Sequence, residues 1–146
     1  MKLEIEIDPT FEETLVKVMA NSMNRDVELV QSLIESSTMK KIIGFQSDKA
    51  TLLELNEIIK FYTDNKKVYA QSLESDYLIR LRMYDLEERF GLMNFIRISQ
   101  GELINLDYVK RLDLSYKGTI AVELMNNEVL FVSRRSLKKF KEALGI

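Results

Sequence analysis

From Asp48 to the C-terminus, turn residues divide the chain into short apolar segments. Segments of this length that recur about every 8–12 residues are typical of an antiparallel β arrangement. We therefore predict strands at residues 51–55, 57–63, 67–73, 76–81, 95–98, 109–114, 119–124 and 129–132. This part of the chain is expected to form a mainly antiparallel β structure.

Two of the connections between these strands have the composition of tight turns. Asp64, Asn65 and Lys66 form one of them, because Asp and Asn side chains bond the nearby backbone and tolerate the left-handed conformation. Asn126 and Asn127 suit a type I′ turn, in which both central residues need a positive φ. Each turn predicts a hairpin between the strands on either side of it.

A helix and an irregular segment are predicted in the middle of the chain. Met83, Leu86 and Phe90 recur at helical spacing, and Gly91 suits the position just after the last helical residue. Residues 99–106 are predicted to form a loop or a short helix.

The first 45 residues follow a different pattern. Residues 2–8 alternate strictly between polar and apolar side chains, which predicts a half-buried strand. Apolar residues at helical spacing predict a first helix from Phe11 to about Met23 and a second helix with Asp26 as its cap. Residues 39–45 are predicted to form a second strand.

The predicted fold class is therefore α+β, with two parts. Residues 1–45 form a short β-α-α-β part with a regulatory or interaction role, and residues 46–146 form the mainly antiparallel β domain. The alternative for residues 1–45 is a simple extension of the main core.

The last predicted element is an amphipathic helix with a basic face. Ser133 suits its N-cap, and Leu137, Phe140 and Leu144 form the apolar stripe. The basic residues on the other side are Arg134, Arg135, Lys138, Lys139 and Lys141.

The two arginines oppose the helix dipole, at a cost of roughly 0.3–1 kcal/mol each. An anion at this end of the helix would offset that cost, because free N–H groups there bind phosphate well. Arg134 and Arg135 therefore indicate a phosphate or base-edge contact, and the alternative is an ordinary solvated basic face.

The charge of the chain is unevenly distributed. Residues 1–38 hold three basic and eight acidic side chains, a net charge of −5, whereas residues 39–146 hold 18 and 15, a net charge of +3. Residues 133–142 alone carry five basic side chains and one acidic one, a net charge of +4. Local charge of this kind steers a protein onto DNA even when the total charge, here −2, is negative.

Composition excludes several functional classes. The chain has no cysteine and no histidine, which excludes disulfides, thiol chemistry, a His-based triad and an imidazole metal site. It also lacks a Gly-rich phosphate loop and metal-ligand spacing. We therefore predict no enzyme, no catalytic residue, no metal site and no cofactor.

No apolar run approaches the length of about 18 residues that spans a membrane, and the N-terminus lacks a signal-peptide pattern. We expect a cytoplasmic protein without membrane insertion.

Two segments together resemble the C-terminal half of a LytTR-type DNA-binding domain. In that family an F-x-R-x-(H/S) segment leads into a (V/I)-N motif, and a later V-S-R-R segment starts a terminal basic helix. The matching residues are Phe95, Arg97, Ser99, Ile104, Asn105, Ser133, Arg134 and Arg135. The resemblance reaches back to about Asp48, covers roughly two thirds of the chain and implies a mainly antiparallel β fold that binds DNA through loops between strands.

The resemblance also implies which residues contact DNA. Family members send side chains into successive major grooves from an early loop, from the segment after F-x-R and from the start of the last helix. In this chain these places correspond to Lys66 or Lys67, to Ser99 and Gln100, and to Arg135 with Arg134 beside it. Many members have His at the position of Ser99, and others have Lys or Arg at Gln100, so the family does not imply a base preference here.

Several of the candidate residues have a second interpretation. Arg97 reaches either a DNA phosphate or a carboxylate within the sheet, and Lys138 and Lys139 suit phosphate. Ser99 and Gln100 are otherwise a polar cap on a short helix, and Lys66 and Lys67 a solvated turn. Asn105 is expected to fix a turn.

The predicted function is that of a sequence-specific transcriptional regulator whose partner is double-stranded DNA. A homodimer and a separate regulatory protein are the other candidate partners. The alternative function is a protein-interaction module without a role on DNA, which the sequence pI of about 5.4 and the acidic N-terminal part favour.

Overall fold

The computed structural model describes residues 1–36 and 41–146. The chain divides into two units, Met1–Thr38 and Met39–Ile146. In the first unit, helix α1 spans Arg25–Ser36. The second unit contains the strands and two further helices, and is described first because it contains the predicted site.

Seven antiparallel strands form the main sheet of the second unit. They are β1 (Lys41–Gln46), β2 (Lys49–Glu54), β3 (Ile58–Asp64), β4 (Lys67–Ser72), β5 (Asp76–Ile79), β6 (Phe95–Ser99) and β7 (Glu102–Asn105). Their order across the sheet is β2-β1-β5-β4-β3-β7-β6. The fold is therefore α+β with mainly antiparallel strands, as the sequence predicts.

A smaller sheet and two helices complete the unit. The strands β8 (Val109–Asp113), β9 (Ala121–Leu124) and β10 (Val129–Phe131) form an antiparallel sheet in the order β10-β9-β8. Helix α2 spans Met83–Phe90, and helix α3 spans Arg134–Leu144. Two 3-10 turns, Leu55–Glu57 and Leu106–Tyr108, lead into β3 and β8.

The unit has two clusters of buried apolar side chains. Phe61 of β3 and Leu103 of β7 belong to the first cluster, together with the buried side chains of α2. Ile104, the next residue of β7, belongs to the second cluster, which also contains Val122 of β9 and Phe140 of α3. Because successive strand residues point to opposite faces, the two clusters lie on opposite faces of the main sheet.

Strand β7 corrects the prediction of a loop or short helix at residues 99–106. It lies between β3 and β6, and both Leu103 and Ile104 are fully buried. A strand that is buried on both faces lacks the polar–apolar alternation by which a strand is recognised from sequence. Only Gln100 and Gly101 form the turn of the β6–β7 hairpin.

The turn predicted at residues 64–66 is confirmed. Asn65 (φ 49°) and Lys66 (φ 64°) both adopt the left-handed conformation, which matches the twist of the flanking strands β3 and β4. The type I′ turn predicted for Asn126 and Asn127 is wrong, because only Asn127 has a positive φ (69°). The Asn127 N–H donates to the Leu124 carbonyl at 2.9 Å, as in a three-residue hairpin loop that ends in a left-handed residue.

Helix α2 confirms the helix predicted around Met83, Leu86 and Phe90, all of which are buried. Gly91 follows it as predicted but keeps a helical φ of −59°. The chain instead reverses at Asn94, whose φ of 65° leads into β6.

The first unit has less regular structure than the sequence predicts. The Asp8 carboxylate accepts bonds from the Thr10 N–H at 2.9 Å and from the Thr10 hydroxyl at 2.7 Å, which stabilise a turn and lower the pKa of Asp8. Asn24 caps α1, since its side-chain oxygen accepts from the Val27 N–H at 3.0 Å. The predicted cap Asp26 lies inside the helix.

Neither the strand predicted at residues 2–8 nor the helix predicted from Phe11 to Met23 forms. The predicted second strand, at 39–45, begins at residues outside the described range and continues as β1, which pairs with β2 and β5. It is therefore a strand of the main sheet. The apolar side chains of the predicted helix are exposed, and a short helix gains most of its stability from packing.

Candidate nucleic-acid interface

Helix α3 has the cap and the buried stripe that its sequence predicts. The Ser133 hydroxyl oxygen accepts a bond from the Ser136 N–H at 3.3 Å. Phe140 is fully buried in the second cluster, and Leu137 and Leu144 pack against that cluster. The basic face therefore points outward, with Arg134 and Arg135 exposed in the first turn.

The start of α3 is attached to the end of β6. The Ser133 N–H donates to the Ile98 carbonyl at 2.7 Å. This bond brings residues that are 33 to 36 positions apart in the sequence to one place, since Ser99 and Gln100 follow Ile98, and Arg134 and Arg135 follow Ser133. Two of the three predicted contact places are thus neighbours.

A β-bulge at Ile98 sets the direction of the neighbouring side chains. Arg97 is opposite Leu103 in the register and Ser99 is opposite Glu102, so Ile98 is the extra residue of the bulge. Without the bulge, Arg97 and Ser99 would share a face of the sheet, and with it they point to opposite faces. Arg97 accordingly contacts α2, whereas Ser99 lies beside the start of α3.

A groove of about 770 Å³ lies where α2, the β6–β7 turn and α3 meet. Its lining consists almost entirely of polar and charged residues, which are Glu87, Arg97, Ser99, Gln100, Ser133, Arg134, Arg135, Ser136 and Lys139. Six of the nine sequence-predicted contact residues are among them. Lys138 lies on α3 outside this lining, and Lys66 and Lys67 lie on another turn.

Arg97 is held by the protein through three bonds. Its Nη1 donates to Glu87 Oε2 at 2.9 Å, and its Nε donates to the Ser99 carbonyl at 3.1 Å. Its Nη2 donates to the Gln100 carbonyl. Of the two interpretations of Arg97, the structure therefore shows the pair with a carboxylate, and that carboxylate comes from α2.

The turn with Lys66 and Lys67 lies at the same end of the main sheet as the groove. Strands β3 and β6 both run antiparallel to β7, so they end at the same side. The Thr63 N–H also donates to the Gly101 carbonyl at 2.9 Å, which joins the end of β3 to the β6–β7 turn. The third predicted contact place therefore protrudes beside the other two.

The strands below the Lys66 and Lys67 turn are tied together by aromatic contacts. The rings of Tyr62 and Tyr69 stack with their centroids 5.5 Å apart, and the Tyr62 hydroxyl donates to Asp76. Burial and the bond to the Asp76 carboxylate raise the pKa of Tyr62, so its hydroxyl stays protonated at neutral pH. These contacts stabilise the two strands, β3 and β4, that flank the turn.

Except for Arg97, which pairs with Glu87, the cations at this end of the sheet form no ion pair with a carboxylate among the described residues. Within residues 1–36 and 41–146, the cations without an ion pair include Lys66, Lys67, Arg134, Arg135, Lys138 and Lys139. Elsewhere in the same unit, Lys41 pairs with Glu54, and Arg111 pairs with Glu123. Uncompensated cations beside a helix N-terminus attract a polyanion.

The sequence gives no sign of Glu87 or Ser136 as lining residues. Glu87 is one of several exposed-face carboxylates of α2, and its place in the groove depends on how α2 packs against the sheet. Ser136 is recognisable from sequence only as a residue of the first turn of α3. None of the described helices has the length and apolar character needed to cross a bilayer.

The surface described so far is that of a nucleic-acid-binding module. It combines cations that form no ion pair within the described part of the chain, hydrogen-bonding side chains and a helix N-terminus at one end of the β domain. Residues 48–145 match the family described as the LytTr DNA-binding domain. The chain belongs to this LytTR family, as its sequence motifs indicate.

The chain is also similar to curated transcriptional regulators and, in its fold, to a solved structure. The chain is 29% identical over 147 residues to an uncharacterized HTH-type transcriptional regulator of Staphylococcus aureus strain NCTC 8325 / PS 47, covering 100% of this chain and 99% of that protein. A regulator of the same description from strain COL matches equally well. The fold also resembles the LytTr DNA-binding domain of a Bacillus cereus protein described as a methyl-accepting/DNA response regulator. That match has a TM-score of 0.70 and 18% identity, and covers 73% of this chain and 98% of that one.

Proposed function

We propose that the chain is a transcriptional regulator that binds duplex DNA at a specific sequence. The observation that carries the proposal is the position of Arg134 and Arg135, which have no ion pair among residues 1–36 and 41–146. They lie at the start of α3, which the Ser133–Ile98 bond joins to Ser99 and Gln100. Cations with no internal partner are available for phosphates, and the amide and guanidinium groups beside them can read base edges.

Each contact place has its own role in this proposal. The β6–β7 turn and the start of α3 enter one major groove together, where Gln100 suits adenine and Arg135 suits guanine. Arg134, Lys138 and Lys139 bind phosphates along the exposed side of α3. Lys66 and Lys67 reach the next groove along the duplex, since their turn lies at the same end of the sheet.

The first unit has a regulatory role in the same proposal. Its net charge of −5 repels phosphate, and it lies outside the residues that match the DNA-binding family. A homodimer or a complex with a separate regulatory protein would use this unit. The staphylococcal relatives, which carry the name of transcriptional regulators, match this chain along its whole length, including this unit.

Specific binding that weakens with salt is the direct test. In a gel-shift assay we expect a specific complex with the DNA upstream of the protein's own gene and none with a scrambled duplex. If Arg134, Lys138 and Lys139 each neutralise one phosphate, the logarithm of the affinity should fall with the logarithm of salt concentration with a slope of about −3. Paired half-sites about one helical turn apart would indicate a dimer. Failure to find a specific complex with any genomic fragment at low salt would favour the protein-interaction module.

A truncation tests the division of roles. A fragment of residues 39–146 should fold and bind a single site with little change in affinity, because it keeps every strand and every proposed contact. A fragment of residues 46–146 is the control. It lacks the buried Ile42 and leaves the edges of β2 and β5 unpaired, so thermal melting should show a lower stability. Loss of DNA binding by a folded 39–146 fragment would contradict the assignment of the first unit.

A further inference from the structure

We propose that Arg97 is a positioning residue for DNA reading, held by Glu87, and that it acts by fixing the backbone of the β6–β7 turn. The inference rests on the proposed function, because it concerns the turn that presents Ser99 and Gln100 to DNA. It assigns a role to Glu87, a carboxylate that no sequence motif marks.

The guanidinium of Arg97 holds two consecutive carbonyl oxygens of this turn. Its Nε donates to the Ser99 carbonyl at 3.1 Å, and its Nη2 donates to the Gln100 carbonyl. The planar fork of an arginine suits two adjacent acceptors, whereas a lysine ammonium is a single flexible point charge. These two bonds fix the orientation of the peptide groups from which the side chains of Ser99 and Gln100 extend.

Glu87 determines where the guanidinium lies. Its carboxylate accepts a bond from the third guanidinium nitrogen of Arg97, Nη1, at 2.9 Å. Glu87 belongs to helix α2, in which Leu86 and Phe90 are fully buried. Arg97 is thus attached to a rigid helix and uses three of its five N–H donors within the protein. Two N–H donors remain, so a contact between Arg97 and a phosphate would be additional to these three bonds.

The opposite side of the turn is fixed as well. The Gly101 carbonyl accepts from the Thr63 N–H at 2.9 Å, and a Cβ on Gly101 would lie 2.5 Å from Thr63 Oγ1. The turn is therefore held by β3 on one side and by Arg97 on the other. Base-reading side chains need supports of this kind, because small displacements of the backbone break bidentate contacts.

The charge of Glu87 makes the inference testable. Glu87 lines the same groove as Arg134 and Arg135, so its negative charge by itself disfavours bound DNA. If Glu87 only contributed charge, Glu87→Gln would strengthen binding to specific and random duplexes alike. If Glu87 holds Arg97, Glu87→Gln should weaken specific binding although it removes a negative charge.

The experiment compares specific with random DNA for three variants of the full chain. For Arg97→Lys and for Glu87→Gln we expect the ratio of specific to random affinity to fall about tenfold, which corresponds to the loss of one good base contact. Glu88→Gln is the matched control, because Glu88 is the exposed next residue of α2, and the change in charge is the same. Its ratio should not change. Equal ratios for Glu87→Gln, Glu88→Gln and the wild type would overturn the inference.

A charge swap separates the ion pair from the bonds to the carbonyls. The double variant Glu87→Arg with Arg97→Glu can rebuild the ion pair, but a carboxylate at position 97 cannot donate to the carbonyls of Ser99 and Gln100. We therefore expect the swap to recover the melting temperature lost in single variants without recovering specificity. Recovery of the specific-to-random ratio would show that only the ion pair matters.

Amide hydrogen exchange of the free protein supplies a readout without DNA. Exchange at residues 99–101 should become faster in Arg97→Lys and Glu87→Gln, and should stay unchanged in Glu88→Gln. Unchanged exchange in all three variants would overturn the inference. If the wild type binds no specific duplex at all, the proposed function fails, and the exchange rates still decide whether Arg97 holds the turn.

Discussion

Replacement of Phe140 by Ala is expected to lower the free energy of unfolding by about 3–5 kcal/mol. Phe140 is fully buried, and it packs in the second cluster with Ile98 of β6 and Val122 of β9. Its ring therefore packs α3 against strands of both sheets. Removal of the ring would leave a cavity among these strands, and closely packed strands relax little to fill such a cavity. Natural domains have a total stability of roughly 5–15 kcal/mol, so this loss removes a large share.

Urea unfolding followed by circular dichroism measures the effect. Lys141→Ala is the matched control, because Lys141 is the exposed next residue of the same helix and should change stability by less than about 0.5 kcal/mol. Specific DNA binding should fall together with stability, since the start of α3 is positioned by the same packing. A loss of less than about 1 kcal/mol for Phe140→Ala would mean that α3 is not anchored through its apolar stripe.

The fold was predictable from sequence wherever one face of an element is polar. The strands of the hairpins, the turn at Asn65 and the stripe of α3 follow the period-two and helical patterns closely. Strand β7 was missed because Leu103 and Ile104 pack into different clusters, which removes the alternation. The order of strands across the sheet depends on pairing over long sequence distances, and no local pattern contains that information.

In the first unit, the sequence predicts a strand that does not form. Residues 2–8 alternate like a strand, yet they have no strand structure. Local alternation shows which face of a strand would be buried, but a strand also needs a neighbour. The net charge of −5 of residues 1–38 is readable from the sequence, and it is one ground for the regulatory role that we propose for this unit.

For the candidate site, the sequence indicates which residues to consider but not how they are connected. Ser133 was recognisable as a cap, and the family motif marks Arg135. The bond from Ser133 to Ile98 and the pairing of Arg97 with Glu87 join distant parts of the chain, so sequence spacing could not reveal them. Asn105, which the sequence predicts to fix a turn, does so from a buried position by accepting from the Asp107 N–H at 3.0 Å.

The staphylococcal relatives are named HTH-type regulators. A helix-turn-helix would need two consecutive helices joined by a short turn. In residues 41–146, α2 and α3 are separated by five strands, so these two helices do not form a helix-turn-helix. The proposed reading elements are instead a β-turn and the N-terminal end of one helix. In this arrangement we expect a single arginine at the helix start to carry more of the specificity than any residue further along the helix.

Arg135→Ala should therefore cost about 1–3 kcal/mol on the specific site and little on random DNA. Arg135 lies in the first turn of α3, lines the groove beside Gln100 and has no ion pair within the described residues. Its planar fork suits the two acceptors of a guanine edge, so its removal should relax the choice of base at one position. Binding to a library of duplexes, each with one base pair changed, would locate that position.

Lys139→Ala is the companion variant that separates base reading from charge. Lys139 lies one turn further along α3 and is exposed, so we expect it to bind phosphate. Its removal should weaken specific and random complexes similarly and reduce the magnitude of the salt slope by about one unit. Both variants keep Leu137, Phe140 and Leu144, so the circular dichroism spectrum should be unchanged.

If Arg135→Ala weakens specific and random binding equally in a folded protein, Arg135 is a backbone contact. Specificity would then come from Ser99, Gln100 and the turn with Lys66 and Lys67.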